Sequence, residues 1–257
     1  MSKLPKANKF IDLSDYGRPV ARLIAQSLKP TSFTAVHVTL LFVVSGICAI
    51  YCILHQHFIA AGLFLILKSI LDAADGELAR LKNQPSYVGR YLDSVCDILL
   101  NFAFLLTIWY ITDSSIWLML LAFIGVELQG TLYNYYYVIL RNRHNGDTTS
   151  RVFEYETPTA LPGEKQRDVN ILFTMYKVLY GAFDQVIYVL DSTAVKSGVF
   201  TNSFMTALTI FGLGFQLLIM AIFLAFNLSE WIIPTFNFMT IGIVVFIGIR
   251  KVFMVKK

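Results

Sequence analysis

Residues 71–97 read LDAADGELARLKNQPSYVGRYLDSVCD, with fixed positions in the pattern D-x2-D-G-x2-A-R-x8-G-x3-D-x3-D. Four aspartates stand in otherwise apolar helical sequence, namely Asp72, Asp75, Asp93 and Asp97. A carboxylate in lipid is costly, so ionisable residues within membrane segments usually mark a functional site. The stretch therefore predicts membrane helices that carry such a site.

Helical spacing arranges these aspartates in pairs. Residues three and four apart share a helix face, so Asp72 and Asp75 point the same way, and Asp93 and Asp97 do likewise on a second helix. Residues 83–86 read NQPS and interrupt the apolar pattern, because proline lacks an amide proton and disfavours helix in the preceding residue. We therefore predict a helical hairpin that brings the four carboxylates together.

A cluster of four carboxylates stays ionised only if cations compensate its charge. The fixed positions of the pattern offer oxygen ligands alone, which favours hard divalent ions. The four aspartates are therefore the predicted ligands of Mg²⁺ or Mn²⁺, as a pair of ions.

The remaining fixed positions fit a phosphate-bearing substrate. Gly76 and Ala79 follow Asp72 on nearly the same stripe and leave a trough without side chains, where a nucleotide can approach the backbone. Arg80 adds a fork of donors suited to phosphate. Gly89 serves the same close approach or is simply a helix-start glycine, and its spacing leaves both interpretations open.

The pattern from Asp72 to Asp97 resembles the signature of the CDP-alcohol phosphotransferases, membrane enzymes of phospholipid synthesis. The resemblance is close over the motif and covers the rest of the chain in architecture only. It implies a helical fold with six membrane spans, a homodimer, and transfer of a phosphoryl-linked group from a CDP-linked donor to an alcohol with release of CMP. It also implies that Asp97 accepts the proton of the acceptor hydroxyl, so Asp93 and Asp97 are the predicted catalytic residues.

The chain departs from the family pattern before the first membrane helix. Ala35 and Val36 stand where family members often carry Pro-Asn, whereas Thr39 fits the threonine of the family. The resemblance therefore adds Thr39 to the predicted donor-binding residues and puts the other nucleotide contacts of this helix in doubt.

Composition indicates an all-α, polytopic integral membrane protein. The chain has 257 residues, of which 56% are hydrophobic, and a mean hydropathy of +0.61, which is too apolar for an ordinary soluble domain. We predict one membrane domain over residues 1–257 with an interfacial segment at 1–33. Six stretches are long enough to cross the hydrocarbon core: 34–54, 58–81, 90–112, 115–140, 201–227 and 231–250.

Two further segments are interpreted from their charge. Residues 13–28 resemble an interfacial amphipathic helix, although a basic segment that only sets orientation explains them equally well. Residues 142–200 are predicted to be a cytoplasmic loop with an interfacial helix. Within them, the apolar stretch 171–191 is ambiguous, because it carries Lys177, Asp184 and Asp191.

The distribution of basic residues predicts the orientation. If residues 171–191 do not cross the membrane, nearly every Lys and Arg falls on one side, together with both termini, and Lys68 lies within the second span. The positive-inside rule makes that side cytoplasmic. We therefore predict an active site that faces the cytoplasm, in a bacterial inner membrane or the endoplasmic reticulum.

Other polar residues within the predicted spans are candidates for the acceptor site. Glu127, Thr131 and Asn134 share one face of the fourth span and either line an acceptor pocket or bond between helices. Arg90 and Arg141 are candidate ligands for a phosphorylated acceptor, and positive-inside anchoring explains Arg141 equally well. Lys68 lies four residues before Asp72 and either pairs with that carboxylate in the site, or it snorkels or makes a structural ion pair.

The preferred function is transfer of a phosphatidyl group from CDP-diacylglycerol to a small polar alcohol, such as glycerol 3-phosphate, inositol, inositol phosphate or serine. The alternative within the family is a CDP-choline or CDP-ethanolamine phosphotransferase that acts on diacylglycerol. An ion-coupled transporter also explains intramembrane carboxylates, but no matching set lies in the other half of the chain. A prenyltransferase would need paired D-x2-D motifs, whereas the second pair is D-x3-D. The expected partners are membrane lipids, the donor and the acceptor, without nucleic acid.

Overall fold

The computed structural model describes residues 10–143, 156–197 and 200–254, and these parts form helices and no strand. The all-α prediction is therefore confirmed for them. The α-helices of the described parts are α1 Arg18–Leu28, α2 Ala35–Leu54, α3 Phe58–Leu81, α4 Tyr87–Ile111, α5 Ile116–Arg143, α6 Gln166–Leu190, α7 Ala194–Ser197, α8 Asn202–Leu208, α9 Leu213–Ala225 and α10 Ile232–Phe253.

The fold is that of a polytopic membrane protein. By length and hydropathy, four helices of the described chain are candidate spans: α2, α4, α5 and Ser229–Phe253, which includes α10. The bent pair Asn202–Phe211 and Leu213–Ala225, which meet at 53°, is a fifth candidate if it forms one span. Helix α3 has 24 residues but is too charged to qualify, because it carries Lys68 and the first two aspartates of the motif. The count of six spans stays a prediction.

The outward faces of these helices are apolar, as lipid contact requires. On α10, large side chains such as Phe238, Val244 and Val252 are exposed, while Phe236 and Ile243 are buried. A soluble protein rarely exposes such a continuous apolar surface. The pattern therefore agrees with a helix that packs on one side and meets lipid on the other.

Helix α3 lies at the centre of the bundle, where it packs against α1, α2 and α9. The approach to α9 is close at Gly62, since a Cβ there would lie 3.0 Å from the carbonyl oxygen of Ala221. Helix α4 follows α3 after the predicted turn. Ser86 caps α4 by accepting a hydrogen bond from the Gly89 amide at 2.8 Å, and Asn83 takes a positive φ of 51°. This hairpin sets the four aspartates opposite one another.

The N-terminal segment forms a short 3-10 helix, Leu13–Asp15, followed by α1. Helix α1 buries Ala21 and Ala25 and exposes Leu23. The predicted helix is present, and its placement at a membrane interface stays a prediction.

The ambiguous stretch 171–191 belongs to α6, which packs on α4 and α5. Its first turns place Val169 and Phe173 against Tyr91, near the start of α4. Its last residues lie near the end of α5, where Tyr136 donates a 2.6 Å hydrogen bond to Asp191. The start of α4 and the end of α5 share one end of the bundle, because a short turn joins their opposite ends. Helix α6 therefore runs across this end, and an interfacial location stays a prediction.

Candidate active site

A cavity of about 1250 Å³ lies between α2, α3, α4, α5, α6 and α9. Every site residue predicted from the sequence lines it, although the role of each stays a prediction. These residues are Thr39, Asp72, Asp75, Gly76, Ala79, Arg80, Gly89, Arg90, Asp93, Asp97, Glu127, Asn134 and Arg141.

Three of the four aspartates form a cluster able to hold a metal ion. One carboxylate oxygen from each of Asp72, Asp75 and Asp93 lies within 4.8 Å of the others. The Oδ1 atom of Asp93 is buried and has no hydrogen-bond partner, so it is available to a ligand. Thr39 donates a 2.7 Å hydrogen bond to Oδ2 of Asp75 and thereby orients it. An oxygen-only set of this kind suits Mg²⁺ or Mn²⁺.

The fourth aspartate, Asp97, lies outside this cluster and pairs with a lysine. The ammonium of Lys68 donates to Oδ1 of Asp97 and lies 3.2 Å from Oδ2 of Asp72. Lys68 is fully buried, and its Nζ lies 4.5 Å from the centre of the Phe42 ring. The ammonium thus compensates one carboxylate on α4 and one on α3, and it does not snorkel toward water. The sequence predicts only the contact with Asp72, which lies one turn away.

Replacing Lys68 with Met is expected to destabilise the protein in the absence of metal. The change leaves Asp72 and Asp97 close together without their shared counterion, and breaking a buried pair on one side costs roughly 3–5 kcal/mol. Added Mg²⁺ should therefore raise the melting temperature of this variant more than that of the wild type. Thermal unfolding in detergent, with EDTA and then with Mg²⁺, measures both values. Lys29→Met, at an exposed site, is the control, and an equal response of the two variants would contradict this role.

The predicted donor-binding residues of α3 face open space. A Cβ on Gly76 would meet only the guanidinium of Arg80, at 3.5 Å or more, so packing within the described protein does not require glycine there. This favours a ligand as the reason for the glycine. Arg80 donates a 2.8 Å hydrogen bond to Glu77, which also accepts one from Arg18 at 3.2 Å.

Arg18, at the start of α1, is a cavity residue that the sequence did not single out as a ligand. Burial opposes its charged form, but the hydrogen bond and charge of Asp15 and the charge of Glu77 outweigh burial and raise the pKa of the guanidinium. Arg18 is therefore a permanent positive charge at this end of the cavity.

Local packing explains a glycine at position 89 as well as the close approach of a ligand does. Its amide is the one that Ser86 caps, and a Cβ on it would lie 3.1 Å from the Ser86 hydroxyl oxygen. That hydroxyl in turn donates to Glu164 at 2.6 Å, as does the amide of Val88 at 2.9 Å. Both interpretations of Gly89 therefore remain consistent with the structure.

The acceptor candidates line the same cavity on α4 and α5. Glu127 accepts a 2.9 Å hydrogen bond from Nδ2 of Asn101, so it lines the cavity and also bonds between helices. Arg90 and Arg141 lie over the rings of Tyr91 and Tyr137, at 5.3 and 5.6 Å from the ring centres. Asn101 was not among the residues predicted from the sequence. Its position one turn after Asp97, in apolar sequence, could have identified it as a candidate site residue.

These features define a class of protein, a helical membrane protein with an aspartate cluster in a polar cavity. The sequence model of the family described as CDP-alcohol phosphatidyltransferase matches residues 30–161, which include the whole motif. The chain is also 30% identical over 195 residues to the bifunctional IPC transferase and DIPP synthase of Thermococcus kodakarensis (strain ATCC BAA-918 / JCM 12380 / KOD1). That match covers 75% of this chain, and it spans only 40% of the length of the relative. The chain belongs to the CDP-alcohol phosphatidyltransferase family of membrane enzymes.

Proposed function

We propose that this protein transfers a phosphatidyl group from CDP-diacylglycerol to a small polar alcohol and releases CMP. The observation that carries the proposal is the convergence of three aspartates, Gly76 and Arg80 on one cavity within a bundle of membrane helices. The proposed acceptors are glycerol 3-phosphate, inositol, inositol phosphate and serine.

The donor is held by residues of α3 and by the aspartate cluster. Asp72, Asp75 and Asp93 would hold one or two ions of Mg²⁺ or Mn²⁺, which when bound supply positive charge for the diphosphate and for the leaving CMP. Gly76 and Ala79 admit the nucleotide to the surface of α3, and Arg80 donates to a phosphate oxygen. Thr39 keeps Asp75 in position through its 2.7 Å hydrogen bond.

Asp97 is the proposed general base. Its carboxylate accepts the proton of the acceptor hydroxyl, while the acceptor oxygen forms a bond to the phosphorus that carries the diacylglycerol. The bond from that phosphorus to the oxygen of CMP breaks, and CMP leaves with the electron pair. Lys68 donates to Asp97 and to Asp72, so the proposed base shares one buried ammonium with the cluster and is held in a fixed position beside it.

Product analysis with a panel of substrates tests the proposal. Purified protein is incubated with Mg²⁺, labelled CDP-diacylglycerol and each proposed acceptor in turn, and CMP release and the labelled lipid are followed. A parallel assay with CDP-choline and diacylglycerol tests the alternative. Turnover only in the second assay would replace the proposed reaction, and ion flux into proteoliposomes without any CMP release would favour a transporter.

The same proposal places both termini and the cavity on the cytoplasmic side of the membrane, in a homodimer of single-domain chains. A Cys introduced at Met254 should then resist a membrane-impermeant thiol reagent in intact cells and react after lysis. The wild type, with Cys48, Cys52 and Cys96, gives the background labelling. Labelling in intact cells would instead mean that a further segment crosses the membrane.

A further inference from the structure

A buried polar pair lies one helical turn beyond Asp97. Asn101 on α4 and Glu127 on α5 are 5% and 4% exposed, and Nδ2 of Asn101 donates to Oε1 of Glu127. The Oδ1 atom of Asn101 is buried without a hydrogen-bond partner. A buried acceptor left unpaired is costly, so this atom needs an explanation beyond packing.

The pair also lines the cavity next to the proposed base. Asn101 follows Asp97 by four residues and therefore shares its helix face. Tyr180 of α6 lines this part of the cavity and anchors there by donating a 3.0 Å hydrogen bond to the Ser94 carbonyl oxygen. An alcohol whose reacting hydroxyl contacts Asp97 therefore has its next functional group within reach of the pair.

The pair itself offers hydrogen-bond acceptors, namely the unpartnered Oδ1 atom of Asn101 and the carboxylate of Glu127. The arginines among the described lining residues all lie toward the other end, where α3 ends and α4 begins. Arg141 is 14 residues beyond Glu127 on α5, or about 21 Å along the helix, and Arg90 is 11 residues before Asn101, or about 16 Å. A phosphate would thus find donors near the arginines, whereas a hydroxyl or amino group fits the pair.

We infer that Asn101 and Glu127 select the acceptor alcohol by accepting a hydrogen bond from a second hydroxyl or an amino group next to the reacting hydroxyl. The inference rests on the proposed function and adds the residues that determine its specificity. Acceptors that lack the second donor leave the pair unpaired, and a site built around such a hydrogen bond rejects them strongly.

The test compares acceptors with analogues that lack only the second donor. Serine is paired with 3-hydroxypropanoate, glycerol 3-phosphate with the monophosphate of propane-1,3-diol, and inositol with an inositol lacking one neighbouring hydroxyl. For the accepted pair, kcat/KM of the wild type should fall by at least about 100-fold on loss of the donor. In Asn101→Leu the ratio of kcat/KM for the parent acceptor to kcat/KM for its analogue should shrink below about fivefold, because the unpaired oxygen is gone. KM for CDP-diacylglycerol should be unchanged.

Glu127→Gln keeps the shape and the contact with Asn101, and it separates the two kinds of donor. If the parent-to-analogue ratio of kcat/KM falls in Glu127→Gln only for serine and its analogue, the donor to Glu127 is an amino group. If it falls for glycerol 3-phosphate or inositol and their analogues, the donor is a hydroxyl. An unchanged ratio in every pair would count against the inference. Thr107→Val is the control, since Thr107 is a buried polar residue farther along α4, bonded to the Ala103 carbonyl oxygen and outside the cavity lining.

The outcomes separate this inference from the proposed function. CMP release with a parent acceptor and equal kcat/KM for its analogue overturns the selection by Asn101 and Glu127 and leaves the reaction intact, without the need for any variant. No CMP release with any small alcohol overturns both. A collapse of the ratio in Thr107→Val as large as in Asn101→Leu would show a general packing effect and overturn the inference.

Discussion

Asp97→Asn should lower the rate of CMP release by about 10²–10⁴-fold, the usual contribution of a general base. Asparagine keeps the shape of the side chain but cannot take the proton of the acceptor hydroxyl. Because Asp97 lies outside the cluster of three aspartates, binding of CDP-diacylglycerol and of metal should largely survive. Single-turnover CMP release, together with direct binding of the donor and of Mn²⁺, separates these quantities.

The control for this prediction is Asp113→Asn, which changes an exposed aspartate just beyond the other end of α4 and should keep full activity. Near-normal turnover of Asp97→Asn with saturating metal would exclude Asp97 as the base. If the variant instead loses as much metal affinity as Asp75→Asn, Asp97 acts mainly as a ligand. The role of general base is the one we propose, since Asp97 lies outside the cluster formed by Asp72, Asp75 and Asp93.

Removing divalent metal should abolish activity, and Mg²⁺ or Mn²⁺ should restore it. Without cations, three carboxylates within 4.8 Å of one another repel the diphosphate that they are proposed to organise. Asp75→Asn should raise the metal concentration for half-maximal activity by at least about 100-fold, and Thr39→Val by less, about 10–100-fold, because Thr39 acts only through Asp75. Titration of activity with Mn²⁺, after dialysis against EDTA, measures these shifts.

The matched control is Thr107→Val, which also removes a buried threonine hydroxyl but lies outside the lining of the cavity. Its metal dependence should equal that of the wild type. Full turnover in excess EDTA would exclude a metal-dependent reaction, and an equal shift in the two threonine variants would remove the proposed link between Thr39 and Asp75.

Much of the site follows from spacing alone. The residues D-x2-D and D-x3-D share helix faces, and the proline at 83–86 ends the first helix so that the chain turns before the second. These rules involve neighbours within about one turn, so the sequence was enough to predict the hairpin and the convergence of Asp72, Asp75 and Asp93. Composition was enough for the all-α membrane class, because a long apolar helix satisfies its own backbone hydrogen bonds in lipid.

The contacts between distant segments depended on the tertiary structure. Lys68 and Asp97 are 29 residues apart, and Asn101 and Glu127 are 26 apart, so no helical period relates them. The first turns of α6 pack on Tyr91, and Asp191, just after its last residue, accepts a hydrogen bond from Tyr136, contacts that the hydropathy of α6 does not reveal. Local spacing thus determined which carboxylates converge. The packing of one helix on another decided that Asp97 of α4 receives the ammonium of Lys68 from α3 and lies outside the cluster of three, because that contact depends on how the two helices face each other.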